Sequence, residues 1–193
     1  MSRPLGAFLF HNRGWIPAPA IVGAIALCEP SGAHTALGLA LIPMALLVRL
    51  WAMLHIGPNA RKRTVFVEKL IYTGPYELTR NPLYIANIAA YTGIGLATIG
   101  AVGAVSAALL ACIYYALIVR YEELELDRRL GEVYRSYRNR VPRWMGESAP
   151  VHAAAPKGNM EERLRNALRA ERTTYALATV ITLTIAIRSV TLG

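Results

Sequence analysis

Two polar clusters interrupt the long apolar runs of this chain, and they hold the side chains best suited to chemistry. The first is residues 70–84, Leu70-Ile71-Tyr72-Thr73-Gly74-Pro75-Tyr76-Glu77-Leu78-Thr79-Arg80-Asn81-Pro82-Leu83-Tyr84. Gly74-Pro75 marks a turn. Asn81-Pro82 reads as a helix start, with Asn81 as N-cap and Pro82 at the first helical position. That helix is apolar almost to residue 100. Its open N–H groups and positive dipole end sit at a membrane boundary, suited to an anion such as a carboxylate. The second cluster, Arg120-Tyr121-Glu122-Glu123, ends the next apolar run. Adjacent carboxylates at a membrane boundary are costly unless paired or functional. Either they pair with Arg80, Arg120 or Arg128, or they serve a ligand. Tyr115, Ile118 and Glu122 share one helical face, at spacings of three and four. The plainer readings stand beside these: Tyr76, Tyr84 and Tyr121 as interface aromatics, Asn81 as a cap only, His55 as an interface histidine.

Elements must bring the two clusters together. The chain has 193 residues, is 54% hydrophobic and carries a formal charge of +9. So apolar a chain of this length reads as an all-α, polytopic integral membrane protein. Its two cysteines, Cys28 and Cys112, both fall in apolar runs and form no metal-binding spacing. The N-terminus lacks a convincing signal-peptide core and cleavage site. Five runs are legible: about 14–28, 35–54, 82–99, 101–120 and 175–190. The first is short for a span and has Pro17 and Pro19 near its start; the second holds Pro43 and Arg49. Only a Gly-containing turn separates the third and fourth, so they form an antiparallel hairpin, which puts both clusters on one side. Ala89, Gly93 and Ala97 recur every four residues on one limb, and Gly100, Ala104, Ala108 and Cys112 on the other. Small residues at that spacing let helix backbones approach closely in lipid, within one chain or in a homo-oligomer. The expected division is a membrane domain over 1–145, a flexible linker over 146–158 and a C-terminal part over 159–193. In the last part Asn159 and Glu162 have capping-box spacing, and Leu164 and Leu168 line one face of a charged helix that leads into the last run.

Charge placement orients the whole. The loop 55–82 carries five Lys and Arg and residues 120–173 carry twelve. With the N-terminal arm, nineteen of 21 fall on one side. That is the bias of cytoplasmic loops rather than a nucleic-acid surface. It predicts a cytoplasmic N-terminus, an outside C-terminus and both clusters in the cytoplasm.

The ordered set Gly74-Pro75-Tyr76, Arg80-Asn81-Pro82-Leu83-Tyr84, Tyr121-Glu122-Glu123, Gly131-Glu132-Val133-Tyr134, Tyr137 and Val141-Pro142 resembles one superfamily. It is that of the isoprenylcysteine carboxyl methyltransferases and phospholipid N-methyltransferases of membranes. The resemblance spans roughly residues 45–145. It implies S-adenosylmethionine as cofactor, held at the cytoplasmic face, and a lipid or lipidated acceptor entering from the bilayer. Position by position, it implies that Leu70 and Ile71 hold the cofactor through backbone. It implies that Tyr76, Asn81 and Tyr84 contact it through side chains, and that Glu122 is its acidic ligand. No metal is implied. The prenylcysteine branch usually has His where this chain has Asn81. It also has a substrate-binding Arg where this chain has Ile118. Arg120, the nearest basic candidate for that role, lies about 200° round the helix from Ile118 at 3.6 residues per turn. The Asn-Pro-x-Tyr and Tyr-Glu-Glu forms are closer to the phospholipid branch.

Methyl transfer from a sulfonium is an in-line displacement, helped mostly by positioning in a dry site. An ammonium acceptor must first lose a proton, and Glu123 is the candidate catalytic base. The expected activity is thus methylation of a membrane lipid, with a phospholipid amine favoured over a prenylcysteine carboxylate. A sterol-type reductase using a nicotinamide cofactor and a non-catalytic assembly protein are the alternatives.

Overall fold

The computed structural model describes residues 3–30, 32–57, 70–147 and 158–192. Arg61-Lys62-Arg63, Lys69 and most of the linker expected over 146–158 lie outside the described residues. Among the described residues all regular structure is helical: α1 Arg3–His11, α2 Ala18–Ala26, α3 Gly32–Ile56, α4 Pro75–Leu78, α5 Pro82–Leu130, α6 Glu132–Arg140 and α7 Met160–Leu192. Three of these, α3, α5 and α7, are long and apolar enough to cross a membrane. Gly100, at φ 70°, divides α5 into two limbs, which are the expected third and fourth runs. The charged stretch leads into the last run, as expected, and the two form one unbroken helix of 33 residues. Asn159 caps it, Oδ1 accepting from the Glu162 N–H at 2.8 Å. The buried face of its charged half is Ala167 and Glu171, while Leu164 and Leu168 are 38% and 43% exposed. The face that Leu164 and Leu168 share is thus an exposed one.

The first run departs further from expectation. Its one regular element, α2, has nine residues, about 13 Å at 1.5 Å per residue. A hydrocarbon core is about 30 Å thick. Pro17 and Pro19 set where α2 can begin, and Glu29-Pro30 follows soon after it, so α2 by itself is shorter than a membrane span.

The chain divides into two compact units. The first is Met1–His11, Val48–Ile85 and Leu117–Glu171; the second is Asn12–Leu47, Ala86–Ala116 and Arg172–Gly193. The second unit is packed through small residues. Gly38 of α3 lies so close to α5 that a Cβ there would stand 2.5 Å from the Ala97 nitrogen and the Gly93 oxygen. Gly95 and Gly103 face each other across the hairpin, and a Cβ on either would collide with the other's carbonyl. Two of the expected small residues, Gly93 and Ala97, thus serve a contact within the chain. The hairpin contact itself uses a different pair. Cys28, Ala97 and Ile185 form an apolar core, and Thr35 donates to the Ala97 carbonyl at 3.2 Å.

Candidate functional site

The first unit contains both polar clusters. Gly74 turns the chain at φ 60°, and a Cβ there would run into the His55 ring. His55 Nδ1 lies 2.8 Å from Thr73 Oγ1, and the Gly74 N–H donates to Glu77 Oε1 at 2.8 Å. These contacts start α4 and bury Pro75 and Tyr76. The stretch after α4 is then bound to residues distant in sequence. The Tyr137 hydroxyl donates to the Tyr76 carbonyl at 2.7 Å, and the Arg80 N–H to the Pro142 carbonyl at 3.0 Å. Thr79 Oγ1 and Asn81 Nδ2 both donate to the Arg143 carbonyl, at 3.1 and 2.9 Å. Tyr134, Tyr137 and Val141 form the apolar core beneath, with Leu70, Tyr72, Leu126 and Leu130 packed on it. Spacing explains why α6 can do this: Tyr134 and Tyr137 are three apart, so they share a face.

On this frame the clusters meet. The Tyr84 hydroxyl donates to Glu122 Oε2 at 2.9 Å. Arg80 Nη2 lies 3.0 Å from Glu123 Oε1. Arg143 adds a forked contact to the same carboxylate, Nη2 to Oε2 at 2.6 Å and Nε to Oε1 at 3.1 Å. The Glu123 contact raises the Arg143 pKa above its usual value. Both Glu123 oxygens are therefore taken up by guanidinium N–H groups, which is the geometry of a strut. To act as the expected catalytic base, Glu123 would have to present one of these oxygens to the proton it removes.

The remaining expected site residues separate into groups. Tyr76 is 6% exposed, and its hydroxyl is buried with no hydrogen-bond partner. Burial, then the charges of Glu122 and Tyr137, push its pKa well above the ordinary value. Asn81 stands at the N-cap position of α5, but its side chain makes no cap and turns to Arg143 instead. Leu70 is half-buried on the tyrosine core, with Ile71 half-buried next to it in irregular backbone. Ile118 is fully buried. Arg120 is exposed, and the helix continues unbroken past it to Leu130. No kink swings Arg120 inward, so it stays off the Ile118 face.

Sequence reasoning missed three members. Arg143 directly follows Val141-Pro142 and has the right chemistry for Glu123. Arg49, in the second apolar run, has the length to reach toward the nearer helix end. It instead pairs with Glu171 of α7, Nη2 to Oε1 at 3.1 Å, and Glu171 is fully buried. A single acid just before the last apolar run was the available signal.

With this geometry in place, the comparisons with known proteins bear on it. The family model for phospholipid methyltransferases matches residues 33–133. That region includes α3, α5 and both polar clusters. Over 112 residues the chain is 34% identical to the nickel-cobalt-cadmium resistance protein NccN of Alcaligenes xylosoxydans xylosoxydans, covering 58% of this chain and 49% of that protein. Over 134 residues it is 29% identical to the cobalt-zinc-cadmium resistance protein CzcN of Cupriavidus metallidurans, covering 65% of this chain and 59% of that protein. The chain thus spans about half the length of the curated relatives it matches. No solved structure matches it.

Proposed function

The chain belongs to the phospholipid methyltransferase family, and from that premise we propose that it transfers a methyl group from S-adenosylmethionine to a membrane-embedded lipid acceptor. The observation that carries this reading is the Tyr84–Glu122 contact at 2.9 Å, which joins the start of α5 to the end of its second limb. Beside it stands the buried, unpartnered Tyr76 hydroxyl. A buried polar group left unsatisfied costs about 1–3 kcal/mol, which a ligand would recover. These residues fit the cofactor. Glu122 would accept from its ribose hydroxyls or face its cation, and the N-terminus of α5 would take its carboxylate. When bound, the cofactor supplies an electrophilic methyl group. The protein's part is to orient donor and acceptor and to exclude water. Arg80, Glu123 and Arg143 hold residues 79–81 in place for that task. Placement of this site at the cytoplasmic face rests on the Lys and Arg bias.

For the acceptor, an amine-bearing phospholipid is the better fit. Buried Ile118 has no group to pair with a prenylcysteine carboxylate, for which Arg would be the natural partner, and Arg120 points elsewhere. Metal resistance is named for the two relatives. Among the described residues no group of three His, Cys, Asp or Glu is placed to hold a metal ion.

Calorimetry with S-adenosylmethionine tests the reading. Wild-type protein should bind, and Glu122→Gln should bind about tenfold to a hundredfold more weakly, the loss of a hydrogen bond to a charged group. Labelled cofactor offered with phosphatidylethanolamine and with a farnesylcysteine analogue then tests the acceptor. Methyl-ester formation on the latter would overturn the phospholipid preference.

A further inference from the structure

The last turn of α3 is held by two other parts of the first unit. The final carbonyls of a helix find no N–H within it. That of Met53 receives the Gly57 N–H at 2.9 Å. That of Leu54 receives Arg163 Nε at 2.8 Å, across 109 positions of sequence. Arg163 stands in the first turn of α7. A cation there opposes the dipole of its own helix, whereas at the C-terminal end of α3 it is favourable. Its placement therefore serves α3.

The next residue, His55, faces the loop of the first polar cluster. Its Nδ1 lies 2.8 Å from Thr73 Oγ1, and its ring fills the space that a Cβ on Gly74 would need. An interface histidine would keep its polar tip in water; this one is turned to the loop. The Thr73 and Gly74 carbonyls in turn accept the Tyr76 and Glu77 N–H groups, at 3.3 and 3.0 Å. His55 thus grips the start of the turn that places Tyr76, and Tyr137 holds its end.

We infer that His55 and Arg163 are positioning residues for the cofactor site: Arg163 of α7 fixes the end of α3, and His55 on that end holds the Thr73-Gly74 turn so that Tyr76 meets the cofactor. Helix α7 acts on the site by this route, from beyond the matched family region, which ends at residue 133. The inference rests on the reading of the site given above.

The test uses the full chain in nanodiscs and two readouts. Hydrogen exchange across residues 73–79, measured without ligand, reads the turn itself. It should quicken in His55→Leu, and less so in Arg163→Met, with protection of residues 134–141 unchanged. Calorimetry with S-adenosylmethionine reads the site. His55→Leu should bind about tenfold more weakly, the loss of one buried hydrogen bond. His55→Asn, whose amide can stand where Nδ1 does, should keep most of the affinity. Arg163→Met should lose less than His55→Leu, and Arg163→Lys, which keeps a donor for the Leu54 carbonyl, should recover it. Because Arg163 acts through His55, His55→Leu/Arg163→Met should bind no more weakly than His55→Leu alone; two independent supports would add. A folded His55→Leu with wild-type exchange at 73–79 or wild-type affinity overturns the inference, and so does an additive double variant. Where His55→Leu does not fold, Arg163→Met decides, and wild-type exchange and affinity in it overturn the inference. Wild type that does not bind S-adenosylmethionine overturns the cofactor reading itself, and that failure appears before any substitution is made.

Discussion

In the first unit the buried side chains that fix the structure are charged or hydroxyl-bearing. Glu123 lies between Arg80 and Arg143, Glu171 holds Arg49, and Tyr137 is tied to the backbone of Tyr76. In the second unit the corresponding work is done by the absence of side chains: Gly38 against Gly93 and Ala97, and Gly95 against Gly103. Both units draw on α3, α5 and α7. The same helices thus change their means of association along their length. Apolar side chains gain little from meeting each other in lipid, so close backbone packing takes over there. Ion pairs are kept in the first unit, where the proposed cofactor would be met. The contrast sorts substitutions into two kinds, and each can be checked.

The largest effect should come from Glu123→Gln. It leaves two guanidinium groups without their shared partner, one of them on a side chain only 8% exposed. Removing one member of a buried pair costs about 3–5 kcal/mol. Thermal unfolding in detergent should show that loss, with cofactor binding lost as residues 79–81 come away from 142–143. Were Glu123 a catalytic base instead, the variant would keep its melting temperature and cofactor affinity and lose turnover alone.

A smaller effect is expected from Gly38→Ala in the second unit. The added methyl would meet the backbone of Ala97 and Gly93 rather than a flexible side chain. Overpacking of this kind costs about 1–3 kcal/mol. The melting temperature should fall while cofactor affinity stays at the wild-type value. A variant that loses affinity without losing stability would break the division between the two units.

Much of this arrangement was legible in the sequence because it rests on local rules. A turn of a few residues at Gly100 forces the hairpin, and the hairpin brings Tyr84 to Glu122 and Arg80 to Glu123. Other features depend on partners far away in the chain. Arg49 and Glu171 stand 122 positions apart, and no periodicity links them. Asn81 has the residue type and position of a cap, yet its amide is drawn off by the Arg143 carbonyl, 62 positions on. Leu164 and Leu168 have helical spacing, but the tertiary contact chose the face with the smaller Ala167. Small residues on the α5 limbs were visible as candidates. Which of them would touch was decided by the register of the hairpin, which places Gly95 opposite Gly103.

The smallest effect concerns alkaline pH, and it separates the units without any substitution. Burial pushes the hydroxyl pKa of Tyr76, Tyr134 and Tyr137, all in the first unit, well above the ordinary value; nearby charges, chiefly Glu122 for Tyr76 and Glu123 for Tyr134, push it further. In the unfolded chain these groups would ionise near pH 10. The folded state therefore keeps protons that the unfolded state gives up. Its stability from this source is full below about pH 10 and drains away as the pH climbs from there toward the folded-state values. Melting temperature should stay level from neutral pH to just below that point and then decline. Hydrogen exchange along the same titration should show residues 70–84 and 132–141 opening before the Gly95–Gly103 hairpin does. Tyrosinate absorbance from these three side chains should rise only together with that opening. If all ten tyrosines ionise near pH 10 with exchange protection intact, then the tyrosine core is wetter than the structure has it. The first unit would then owe its cohesion to the ion pairs alone.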